Sequence, residues 1–213
     1  MARSELVIKD RYLAALEEFV SPVLHPVGLI RSARSYKYVK KNNDLRIVLD
    51  TKPVFGRMSG SLARLEPLFE IQAPTVAAVA LEIDGNELRW GNANSPIFKC
   101  SLTNLVGGAD RRAGTIIRDV GDINAVVEGL GRFCEQHVAP LVPRISTTAE
   151  LLGLRFEYPS FFRNSIGLAS IALVHGDPEH AVRLLDESNL EDEDRVMYLE
   201  HVYKNIADWQ RAD

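Results

Sequence analysis

Cysteine is scarce in this chain: there are two among 213 residues, Cys100 and Cys134. They form no CxxC pair and no short framework, and read as two buried free thiols in a reducing compartment. Long apolar runs are missing too. The stretch Ala73 to Leu81 is about half the length a membrane helix needs. The opening MARSELVIKDRYL is interrupted by Glu5, Lys9, Asp10 and Arg11 before any signal-peptide core forms. No export signal or membrane span is therefore legible, and a cytoplasmic protein is the expectation. The chain also lacks the phosphate loop GxxxxGK[ST], a GxGxxG turn after a strand, HExxH and GxSxG. Nothing at this level names a cofactor, a metal or a catalytic residue.

What is present is an ordinary globular balance, 46% hydrophobic and 25% charged, with a formal net charge of -4. The charge is unevenly spread. Residues 30–64 hold nine Lys/Arg against two Asp, a local balance of +7. Residues 176–213 hold eleven Asp/Glu against four Lys/Arg, a balance of -7. A basic hairpin and an acidic end can attract one another or address different partners.

The order of elements reads as α+β. A first helix starts near Asp10, with Tyr12, Leu13, Leu16, Phe19, Val20 and Val23 on one face. Ser21-Pro22 interrupts it, and HPVG ends the segment. Arg31 to Lys40 and Leu45 to Asp50 read as a hairpin around the turn KNND, with Tyr36 and Tyr38 sharing one face. Residues 51–67 read as a loop or a short irregular helix. Leu68 to Ile71 and Thr75 to Ile83 read as extended. Asp84-Gly85-Asn86 is turn chemistry, after which Glu87 to Trp90 completes a second hairpin. Ile97 to Leu105 and Thr115 to Val120 read as strands. Asp122 then caps a helix, carried by Ile123, Val126, Val127, Leu130, Phe133 and Cys134 and closed by Pro140.

From about residue 160 the pattern is helical. The stretch ASIALVHGDPEHAVRLLDES places small residues at Ala169, Ala172, Gly176 and Ala181, with Asp177 and Pro178 opening a second helix. It resembles a tetratricopeptide-type hairpin. No second copy stands at a spacing of 34 residues, so it reads as one hairpin rather than an array. A last helix follows Glu191, Asp192, Glu193 and Asp194, with Leu199, Val202, Tyr203, Ile206 and Trp209 as its apolar stripe. The expected architecture is an antiparallel sheet of four to six strands flanked by helices (residues 1–154). A C-terminal all-helical extension occupies 155–213.

The segments LHPVGL running into RSARSYKYVKKNNDLRIVL, then IFKCSLTNL and DINAVVEGLGRFCEQHVAPLVPRISTTAELL, resemble an uncharacterised bacterial α+β family. It is a domain of unknown function, number 4304. The resemblance would cover roughly residues 8–154. It implies an antiparallel sheet flanked by helices and brings no catalytic residues with it. Domains of this kind look like the toxin-neutralising immunity proteins of bacterial competition, an analogy between folds.

Two surfaces compete for a function. The acidic end, Glu187, Glu191, Asp192, Glu193 and Asp194 with the hairpin turn at His175 and Glu179, suits a protein partner such as a basic toxin. Phe161, Phe162, Tyr198 and Trp209 are expected near it as exposed aromatics that anchor either a partner or the interface between the domain and its extension. The alternative is nucleic acid on the basic hairpin, through Arg34, Lys37, Lys40 and Lys41 with tyrosines interleaved. A third reading is a hydrolase or transferase whose Arg57, Arg64, Arg111 and Arg112 line an anion pocket. The Cys134-x-x-His137 pair and the His175/His180 turn read as structural rather than as a nucleophile or metal site. The leading expectation is a non-catalytic cytosolic protein-binding module, an immunity or scaffold protein.

Overall fold

A computed structural model describes residues 2–55, 62–84, 95–107, 115–188 and 190–209, with side chains from 7 to 204. In chain order the elements are α1 (Ala2–Phe19), α2 (Ser21–Leu24), a 3-10 turn (His25–Val27), β1 (Ile30–Arg31), β2 (Lys37–Asn42), β3 (Leu45–Asp50), β4 (Val54–Phe55), β5 (Ala63–Leu65) and β6 (Leu68–Gln72). There follow α3 (Pro74–Ile83), β7 (Phe98–Ser101), α4 (Leu102–Leu105), β8 (Thr115–Ile117), α5 (Asp122–Phe133), a π-helical turn (Cys134–Val138) and α6 (Ala139–Leu141). A second 3-10 turn (Val142–Arg144) leads to α7 (Thr148–Leu154), α8 (Ser165–Val174), α9 (Pro178–Asp186) and α10 (Asp192–Trp209). The strands form a five-stranded antiparallel sheet, ordered β1-β2-β3-β6-β7, and a three-stranded one, β4-β5-β8. The α+β class holds, and the larger sheet falls within the expected strand number.

The chain divides into two compact units. Residues 1–41, 46–70 and 99–145 make the first; residues 42–45, 71–98 and 146–213 make the second. The division falls near residue 145, and the second unit gathers α3 from the middle of the sequence in addition to the C-terminal helices.

In the first unit, α1 packs on α5. Their apolar faces supply Tyr12, Leu16, Ile123, Val127, Leu130 and Phe133, all buried. Tyr12 donates its hydroxyl to the Thr51 carbonyl at 2.7 Å, and Tyr38 donates to the Leu16 carbonyl at 3.1 Å. Each buried phenol therefore has a partner, and burial raises both above the ordinary tyrosine value, Tyr12 the further. After Phe133 the helix widens: the Ala139 N–H bonds back to Cys134, five residues earlier. Pro140 explains the widening, since it has no N–H to continue the four-residue ladder.

In the second unit, α8 is buried from Ile166 through Leu173, as a helix apolar on all sides must be. It packs against α3, α7 and α9. Phe98, Phe161 and Phe162 form a cluster with ring centroids 4.7–5.8 Å apart. Asn164 caps α8 by accepting from the Gly167 N–H at 3.1 Å, and donates to the Ile97 carbonyl at 2.9 Å. The helical pair read from the sequence is present. Gly176 adopts φ 72° and Asp177 caps α9 through the His180 N–H at 2.9 Å. Tyr198 of α10 donates to the buried Asp84 carboxylate at 3.0 Å, and His201 Nδ1 donates to the Ile83 carbonyl at 2.6 Å.

Several local readings change. Thr75 to Ile83 is helical rather than extended, because Ala73, Val76, Ala77, Ala80 and Ile83 recur at helical spacing and are buried. The first helix begins at Ala2, not near Asp10. The basic hairpin forms as β2 and β3, but its first strand is shorter than expected: β1 ends at Arg31 and β2 begins at Lys37. Asp122 does not cap α5; it lies in the first turn and accepts from the backbone of Arg118 at 3.0 Å. The strand expected over Ile97 to Leu105 turns helical at Leu102, where Ser101 caps α4. The expected strand Glu87 to Trp90, and Arg57, Arg111 and Arg112 of the expected anion pocket, lie outside the described residues.

Two exposed carboxylates tie acid stability to local structure. Glu150 accepts from the backbone of Ser146 at 2.6 Å and Thr147 at 2.9 Å, a capping box that holds it below the ordinary 4.5. Glu17 is likewise lowered, first by its bond from Arg31 and then by that from Ser21. Both groups release their proton more readily when folded. Their contribution is complete above the unfolded value of 4.5 and is lost as pH falls through the lower folded values. The thermal midpoint is expected to stay level on descending to about pH 5 and then to drop. The Glu17→Gln, Glu150→Gln double variant should fall less steeply in the same pH series. An equal slope in both proteins would contradict this assignment.

Candidate functional site

The acidic residues stand on α9 and α10. His175 and Glu179 are exposed at the N-terminal end of α9, and Glu187 is exposed at its C-terminal end. Nine residues of helix separate the two ends, about 13 Å. The two halves of the expected contact surface thus flank one helix rather than meeting at a point. Glu191, Asp192 and Glu193 are exposed and Asp194 half-buried where α10 begins. The positive end of the α10 dipole accounts for Asp192, Glu193 and Asp194, and Asp192 also pairs with Arg195. It does not account for Asp186 and Glu187, which sit at the negative end of α9.

The aromatic anchors differ from expectation. Phe161, Phe162 and Tyr198 are buried core residues rather than exposed ones. The Trp209 side chain lies outside those described. On α10, Tyr198 and Val202 turn inward, whereas Tyr203, read as part of the buried stripe, is 60% exposed and Val196 53%. Glu193, Val196, Glu200 and Tyr203 therefore line one outward stripe at positions i, i+3, i+7 and i+10. Sequence periodicity missed it, because Tyr203 fits an inward stripe as well as an outward one. Phe156 is also out, 76% exposed, with the Arg155 guanidinium 4.5 Å from its ring centroid. Arg155 in turn donates to His180 Nε2 at 3.3 Å, beside Asp177. His175 Nε2 lies 2.8 Å from Thr148 Oγ1.

An open hollow of about 660 Å³ lies at the N-terminal end of α8, lined by Phe162, Arg163, Asn164, Glu187, Ser188 and Leu190 among others. It places Glu187 on the rim of a partly apolar recess. Arg163 and Glu187 are both exposed.

The basic hairpin is altered more deeply. Tyr38 is fully buried, and Tyr36 leans on Tyr12 with ring centroids 6.0 Å apart. Both tyrosines face α1, so neither offers a base-stacking platform. Arg31 is buried as well, with its side chain 2% exposed. Arg34, Lys37 and Lys41 are exposed, Lys37 pairing with Asp50 at 3.2 Å, while the Lys40 stem runs over Gly28. Of the arginines expected to line an anion pocket, Arg64 pairs with Glu66. Arg57, Arg111 and Arg112 lie outside the described residues.

The two thiols have no activating neighbourhood. Burial pushes both Cys134 and Cys100 up to about 12. His137, three residues on from Cys134, packs on Phe133 at 4.7 Å between centroids. Ellman-type labelling of the folded protein at about pH 8 is expected to leave Cys134 unreacted and Cys100 slow, with both released by denaturant. Labelling of folded Cys134 at a free-thiol rate would contradict the burial. Among the described residues, no group of three or more His, Cys, Asp and Glu is placed to hold a metal ion. No helix among them is long and apolar enough to cross a membrane.

Comparison with known proteins returns nothing to set beside this geometry: no family model, no curated protein and no solved structure matches the chain.

Proposed function

We propose that this chain is a non-catalytic cytosolic protein-binding module. It resembles domain of unknown function number 4304, and the role in view is that of a bacterial immunity or scaffold protein. The observation that carries the reading is the outward stripe of α10, where exposed Val196 and Tyr203 alternate with Glu193 and Glu200. Exposed apolar groups ringed by charge of one sign suit a protein partner of the opposite sign. Glu187 and Glu191 extend the same sign toward the α9 end. A basic toxin, whose own substrate is nucleic acid, has the matching chemistry.

The test is affinity capture from native lysate, with and without nuclease, using the wild type and a Glu187→Lys, Glu191→Lys, Glu193→Lys variant. One stoichiometric basic protein that survives nuclease is expected. The triple variant should associate with it about tenfold more slowly at low salt. A nuclease-sensitive mixture captured equally by both proteins would sink the reading and favour nucleic acid on the hairpin.

A further inference from the structure

The acidic stripe of α10 has a counterpart on the same chain. On β2, exposed Lys37 and Lys41 flank half-buried Val39 on one side of the strand, while Tyr38 points into the core. The register of β1 on β2 sets Ile30 opposite Val39, and Ile30 is 54% exposed. Among the described strands β1 stands at the edge of its sheet. The result is a strand face with two apolar side chains between two ammonium groups. On α10 two apolar side chains alternate with two carboxylates.

The spacings agree. Lys37 and Lys41 are four strand residues apart, about 13 Å. Glu193 and Glu200 are seven helical residues apart, about 10 Å. Lysine stems are long enough to absorb the difference. Val196 lies between the two carboxylates as Val39 lies between the two ammoniums, so pairing the charges brings the apolar groups together. Lys37 already shares its charge with Asp50 at 3.2 Å, and that bond bends rather than blocks the approach, since the Lys37 side chain stays half-exposed.

We infer that the chain associates with a second copy of itself, the acidic stripe of α10 in one copy lying on the Lys37–Val39–Lys41 face of the other. Such a contact is small and charge-steered, which places it among weak, salt-sensitive associations. It goes beyond the proposed function: the same α10 stripe is then covered by a sister chain until a foreign basic partner competes for it.

The experiment is sedimentation velocity on the purified full chain, at about 50 mM and about 500 mM salt. The wild type is expected to associate at low salt and to separate at high salt. Lys37→Glu, Lys41→Glu and, separately, Glu193→Lys, Glu200→Lys should each weaken association at least tenfold. Mixing the two variants should restore it, because each then carries the face the other has lost. Restoration on mixing also shows that both variants are folded. A wild type that stays monomeric at low salt, or variants that associate as it does, overturns the inference. Either result leaves capture of a foreign partner unaffected, so the two proposals fail separately.

Discussion

Replacing Gly131 with alanine is expected to lower stability by about 2–3 kcal/mol, or roughly 5–10 °C in thermal midpoint. Gly131 lies where α5 meets the end of α1. A Cβ built there overlaps the Phe19 carbonyl oxygen and falls 3.1 Å from the Phe19 carbonyl carbon. The obstacle is backbone, so no rotamer change relieves it and one helix must move. The better helix propensity of alanine, worth about 0.5–1 kcal/mol, offsets only part of the loss. Gly129, two residues earlier on the same helix, is the control: an added Cβ meets nothing within 4 Å. Gly129→Ala should therefore be neutral or stabilising by up to about 1 kcal/mol. Urea unfolding of the two variants checks the contrast. Equal effects would mean that α1 and α5 are not in the close contact described.

The second large effect belongs to Arg31. Its Nη1 donates to the carbonyls of Ser32 (3.5 Å), Ala33 (3.3 Å) and Ser35 (3.0 Å). Its Nη2 donates to Leu13 (3.4 Å) and to the Glu17 carboxylate (2.7 Å). The guanidinium also lies 5.8 Å from the centre of the Tyr38 ring. One side chain thus shapes the loop between β1 and β2 and ties it to α1. Only a planar fork reaches so many acceptors, so lysine is no substitute. Arg31→Met is expected to cost about 2–4 kcal/mol and Arg31→Lys nearly as much. The Glu17 end of the network is largely solvated, which keeps the figure below that of a fully buried ion pair. Hydrogen exchange should rise over residues 32–36 in both variants. If Arg31→Lys matched the wild type in stability and exchange, the fork geometry would not be the cause.

Arg31 also illustrates what the sequence hides. In the pattern RSARSYKYVKK it is one of several cations, indistinguishable from Arg34 or Lys37. Burial separates them: Arg31 and Tyr38 turn inward together because they are direct partners across β1 and β2. The nucleic-acid reading depended on exposed tyrosines, whereas Tyr38 belongs to the core beneath α1 and half-buried Tyr36 leans on Tyr12.

The helical pair α8–α9 was legible, since its Gly176, Asp177 and Pro178 carry the stop and start chemistry of helix ends. The α3 helix was not. Between exposed Thr75 and Glu82, its outward positions are filled by Ala78 and Val79 rather than by charges, so the helical period vanishes into the apolar run from Val76 to Leu81. Pro74 in its first turn was the available signal. On α10 the difficulty is reversed. Leu199, Val202 and Tyr203 all fit an apolar stripe, and only the fold decides that Tyr198 and Val202 go inward while Tyr203 stays out. The exposed residues that matter most to the proposed function were therefore the ones that composition and periodicity could not rank.

The most direct test of the central claim is photo-crosslinking in the native cell. A photoreactive residue replaces Glu191 on the acidic surface and, as a control, Ile116 on β8, and the products are identified by mass spectrometry. The Glu191 position is expected to capture one dominant basic protein in addition to copies of the chain, and the Ile116 position is not. Capture of the same proteins from both positions, or of no foreign protein from Glu191, would contradict it.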